Sequence, residues 1–104
     1  MDILTRIKRL AIAHQIRFTA KAEDERIRDG LSVEDIVESI VNAPAITQVL
    51  RSTSPARQER KEKLYVIVSL NYGGTLVYTK GTLRTFHGVE EFYILISSKR
   101  SVMS

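Results

Sequence analysis

Apolar residues at the start of the chain recur at helical steps. Ile3, Leu4, Ile7, Leu10 and Ala11 lie three or four apart and share one face, with Arg6, Lys8 and Arg9 on the polar side. Asp2 stands where a helix cap is needed. A short extended piece, Ile16-Arg17-Phe18, follows. Thr19 then caps a second helix running to about Asp29, with Glu23, Asp24 and Glu25 in its early turns, where the helix dipole favours negative charge. Gly30 suits the left-handed position just past its end. Ser32 caps a third helix whose apolar face is Val33, Ile36, Val37, Ile40 and Val41, and Asn42 and Pro44 stop it.

Beyond Pro44 the period changes to two. Ala45 to Leu50 is a possible strand, and Leu64 to Asn71 is rich in β-branched and aromatic residues. Tyr72-Gly73-Gly74 is a hairpin turn, Thr75 to about Arg84 returns, and Glu91 to Ser98 is a further strand. The expectation is one α+β domain over residues 1–104, with a first helix over 1–14 and a core over 16–100. Its helices pack on one face of a four-stranded, mainly antiparallel sheet. Alternation gives one face Val66, Val68 and Leu70 with Phe92, Ile94 and Ile96; the opposite face carries Tyr65, Ser69 and Asn71 with Tyr93, Ser97 and Lys99.

Composition narrows the chemistry. Of 104 residues, 43% are apolar and 27% charged, which is ordinary globular usage. The absence of cysteine excludes disulfides, a thiolate nucleophile and any cysteine-based zinc site. No stretch has the apolar length to span a bilayer and the N-terminus has no signal-peptide pattern, so a cytoplasmic location without membrane attachment is expected. The net charge of +4 favours anionic partners such as nucleic acid or an acidic protein.

The connection from Arg51 to Lys63 contains Arg51, Arg57, Arg60, Lys61 and Lys63 against Glu59 and Glu62. It is either a solvated loop or a set of phosphate contacts. Tyr65, Tyr72, Tyr78 and Tyr93, with Lys80, cluster in the strand half. On an open sheet face such rings stack bases; at a core edge they bury their rings and hydrogen-bond their hydroxyls. His14 and His87 lie in different halves, and either is a surface histidine or a general acid or base. No metal-ligand spacing, phosphate loop or nucleophile elbow occurs, and no cofactor is implied. The spacings of Asp24 with Arg28 and Glu23 with Arg26 suit helix-surface pairing.

The order of elements, together with Phe18-Thr19-Ala20-Lys21-Ala22, Tyr78-Thr79-Lys80-Gly81 and Ile96-Ser97-Ser98-Lys99, resembles a superfamily of small RNase toxins. That group joins RelE-like toxins with barnase-like and colicin-like nucleases. The chain looks most like an uncharacterised branch often encoded beside a zinc-ribbon antitoxin, over roughly residues 16–100. The resemblance implies a RelE/barnase-like fold and a toxin of a type II toxin–antitoxin pair. As an endoribonuclease, that toxin needs no metal and drives the RNA 2′-hydroxyl onto the neighbouring phosphate. Its partners are then RNA and a cognate antitoxin of zinc-ribbon or helix-turn-helix type. Relatives carry histidine in a Ser-x-His-Ala pattern opening the second helix; Lys21 stands in its place here.

On that reading Lys21, Lys80 and Lys99 stabilise phosphate, Tyr93 or His87 handles a proton, and Arg26, Tyr65, Tyr78, Arg57, Arg60 and Lys61 contact substrate. Two other classes explain the same charge: a non-catalytic module that binds RNA or protein, and a structural domain assembling through its sheet edge.

Overall fold

A computed structural model describes residues 1–51 and 62–102. Three helices lie in the first half: α1 (Ile3–Ile12), α2 (Ala20–Arg28) and α3 (Val33–Asn42). Each begins where a side-chain oxygen is available to take an orphan backbone N–H. Asp2 accepts from Thr5 N at 2.7 Å, Thr19 from Ala22 N at 3.2 Å and Ser32 from Asp35 N at 3.0 Å. Gly30, with φ of 70°, turns the chain out of α2 as its position predicts.

The sheet has five strands, not four. They are β1 (Ile16–Phe18), β2 (Gln48–Arg51), β3 (Lys63–Leu70), β4 (Leu76–Phe86) and β5 (Glu90–Arg100), in the spatial order β1-β5-β4-β3-β2. The extra strand is the short extended piece after α1, which pairs parallel to β5 while the other pairings are antiparallel. Its three residues carry no alternation long enough to declare a strand; the neighbour's free edge makes it one.

All three helices cover one face of this sheet. The core joins Ile7, Leu10 and Ala11 of α1, Ala22 of α2 and Ile36, Val37 and Ile40 of α3 to Tyr65, Ile67, Val77, Tyr93 and Leu95. The covered face is therefore the one that alternation marked as polar and aromatic. Its residues fit because they are small or can bond back to the helices, and because Gly81 leaves room for a ring. A Cβ on Gly81 would sit 2.5 Å from Tyr93 Cζ. A β-bulge beside Lys80 and Gly81 shifts the register, so that Leu83 pairs with Tyr93 while Tyr78 pairs with Lys99. Tyr93 consequently faces the helices and Lys99 the opposite, outer face. Uninterrupted alternation had put them together.

Among the described residues no helix is long and apolar enough to cross a membrane.

Candidate functional site

The first turn of α2 docks against the far half of β5, beyond the end of β1. Thr19 N donates to Leu95 O at 3.0 Å, which fixes where the helix starts. Ser98 Oγ donates to Ala22 O at 2.8 Å and closes the helix onto the strand. One turn further along, Glu25 enters the interface on the same helical face as Ala22. Its Oε1 accepts from Ser97 Oγ at 2.8 Å and from Ser98 N at 3.1 Å. Its Oε2 lies 3.8 Å from Lys21 Nζ, one helical turn back and at the rim, where the Lys21 side chain is 62% exposed against 10% for Glu25.

Burial alone would push the Glu25 carboxyl up. The bonds from Ser97 and Ser98, aided by the charges of Lys21 and Lys99, outweigh it and hold the group below the ordinary carboxylate range. Glu25 is thus a nearly buried carboxylate kept ionised, with one oxygen fixed and the other turned to a lysine.

Lys99 reaches this region from the outer face. Its ammonium lies 5.4 Å from the centre of the Tyr78 ring, its cross-strand partner. Lys80 is two residues from Tyr78 on the same face and pairs with Ser97. Tyr78 and Lys99 also line a hollow of about 400 Å³ together with Asp29, Arg100, Ser101 and Val102. Asp29 shapes its wall: Oδ2 accepts from Arg100 N at 2.8 Å and the backbone oxygen from Arg100 Nε at 2.9 Å. The volume is that of a small-ligand site, about 300–1,000 Å³.

Of the residues expected to act together, Lys21 and Lys99 act on the Glu25 carboxylate and Tyr78 meets Lys99, while Lys80 stands on the outer face opposite Ser97. Tyr93 has no exposed surface, and its hydroxyl donates to Tyr65 O at 3.3 Å. Burial drives its phenol well above the usual tyrosine range, so the ring neither meets a ligand nor supplies a proton. Tyr65 is 9% exposed and belongs to the same core. Arg26 is a brace: it donates to Leu31 O at 2.9 Å, pairs with Glu23 and lies over the Phe18 ring.

His87 sits in the β4–β5 turn with φ of 54°. The nine residue steps of strand from Glu90 to Lys99 put it roughly 30 Å from that lysine, at about 3.3 Å per residue. Arg57, Arg60 and Lys61 lie outside the described residues. His14 follows α1, also left-handed at φ of 58°. Among the described residues no three His, Cys, Asp or Glu side chains are grouped to hold a metal ion.

Sequence reasoning missed Glu25, Ser97 and Ser98 as site residues. A signal existed: Glu25 falls three residues after the core-facing Ala22 and four after Lys21, so it occupies an inward position that a surface acid would avoid.

Compared with known proteins, the chain matches no family model, no curated protein and no solved structure.

Proposed function

We propose that this chain is an RNA-cleaving toxin whose site is the α2–β5 junction, acting without a metal ion. The observation that carries the reading is Glu25, ionised although nearly buried, with Lys21 against its open oxygen and Lys99 close by. A buried carboxylate among cations is costly to build where only packing is needed, and such perturbed groups concentrate at functional sites.

In the proposed reaction the RNA phosphate docks between Lys21 and Lys99, with Lys80 extending the positive rim. The 2′-hydroxyl attacks the adjacent phosphorus and loses its proton to Glu25 Oε2. The bond from phosphorus to the 5′-oxygen breaks, and that oxygen takes a proton from the Lys21 ammonium or from water. The products are a 2′,3′-cyclic phosphate and a 5′-hydroxyl. The lysines offset the charge that builds on the phosphate oxygens. DNA lacks the nucleophile. A cognate antitoxin would silence the protein by laying an acidic segment over the same lysines.

A carboxylate held at low pKa is a weak base, and this favours a second reading in which the same surface binds RNA without cutting it. Single-turnover cleavage of a short RNA separates the two. Lys99→Ala and Lys21→Ala are expected to slow cleavage at least tenfold each and Glu25→Gln about a hundredfold, with binding retained in the Gln variant. Cleavage untouched by all three would refute the site. Binding without scission by the unaltered protein would leave only the second reading.

A further inference from the structure

The outer face of the sheet carries a second group of side chains at its other end. Alternation along β4 puts Arg84 and Phe86 on the same face as Tyr78 and Lys80. The register sets Phe92 opposite Arg84, and Arg17 of β1 beside Ile94. The Arg17 guanidinium lies over the Phe92 ring, 4.4 Å from its centre, and is held there by a bond from Nη1 to Ile16 O at 2.8 Å. Phe86 meets the Phe92 ring edge-on, with centres 5.7 Å apart. Arg17 is exposed, and Phe86 keeps 39% of its surface in solvent.

Among the described residues the charges here nearly cancel. Arg84 pairs with Glu62 at 3.1 Å, and Glu90 stands opposite Phe86. The patch therefore offers flat π surface with little excess positive charge. Such a surface suits a base and is poorly suited to a phosphate. A guanidinium resting on a ring still presents its outer plane for stacking, and every base has a face to stack.

We propose that Arg17, Phe86 and Phe92 form a stacking platform for an unpaired base of the same single-stranded RNA that is held at Lys21 and Lys99. This rests on the reading of the α2–β5 junction as an RNA site. Phe86 lies eight residues along β4 from Tyr78, roughly 26 Å at about 3.3 Å per residue. A dinucleotide at the junction falls short of the platform, whereas a hexanucleotide reaches it.

The test is calorimetric titration with 2′-O-methyl diadenylate and hexaadenylate, which lack the nucleophile and stay intact. The hexanucleotide binds more tightly than the dinucleotide to the unaltered protein. Arg17→Ala and Phe86→Ala each lower hexanucleotide affinity roughly tenfold, leave the dinucleotide unchanged and leave the salt dependence unchanged. Phe86→Tyr retains the affinity. Lys99→Ala weakens both ligands and lowers the salt slope by about one. Hexanucleotide affinity that neither platform variant moves, or a salt slope that falls in Arg17→Ala, overturns the platform and leaves the junction reading standing. Failure of the unaltered protein to bind either oligonucleotide overturns both.

Discussion

Glu25 and Gly81 are each small changes in a sequence with large consequences for packing. Removing the Glu25 carboxylate strands Ser97 Oγ and Ser98 N in the α2–β5 interface, so Glu25→Ala should cost about 2–3 kcal/mol in urea unfolding. The acid response follows from its depressed folded pKa. Glu25 stabilises the fold fully above its ordinary carboxylate value of 4.5, and that contribution is lost as pH falls through the lower native value. Melting temperature followed from neutral pH down to acid should therefore drop more in the unaltered protein than in Glu25→Gln. Equal slopes would mean that the carboxylate gains nothing from its partners. At Gly81 an added methyl would also lie 2.8 Å from Ile94 O, against backbone that has nowhere to go. Gly81→Ala should destabilise the fold by about 2 kcal/mol in the same assay. Tyr93→Phe removes one bond and should cost about 1 kcal/mol while leaving RNA cleavage unchanged.

At the scale of elements, caps made the helices legible. Ser32 and Asp35 form a reciprocal capping box, with Ser32 N donating to Asp35 Oδ2 at 2.8 Å and Asp35 N to Ser32 Oγ at 3.0 Å. Ser32→Ala should cost about 1 kcal/mol of stability, measured by urea unfolding. Strand positions were equally readable, because β3, β4 and β5 are long runs of strand-forming residues punctuated by turns. Which face the helices cover was not readable. A single inserted residue in β5 reverses inward and outward for everything beyond it, and a bulge has no composition of its own. The same gap hid half of the candidate site. Lys21, Lys80 and Lys99 stood out as cations, but the carboxylate beside Lys21 looked like one more helix-surface acid until β5 supplied its partners.

At the scale of the molecule, the sheet has one face packed under the helices and one open face, which the proposed reading assigns to RNA. The helix-covered face holds the core, and the outer face presents Tyr78, Lys80, Lys99, Arg84 and Phe86 along two adjacent strands. A Cα radius of gyration of 13.0 Å matches about 13 Å for a 100-residue domain, so the two ends of that face belong to one packed body. An RNA lying along it would gain affinity from phosphate contacts at the junction, and binding there should weaken steeply with added salt.

The most direct test of metal-free cleavage is to incubate the purified protein with a structured RNA in excess EDTA and identify the product ends. Fragments carrying 2′,3′-cyclic phosphate and 5′-hydroxyl termini, lost in Glu25→Gln, are the predicted outcome. RNA left intact by folded protein at high concentration, or fragments ending in 3′-hydroxyl and 5′-phosphate, would contradict it.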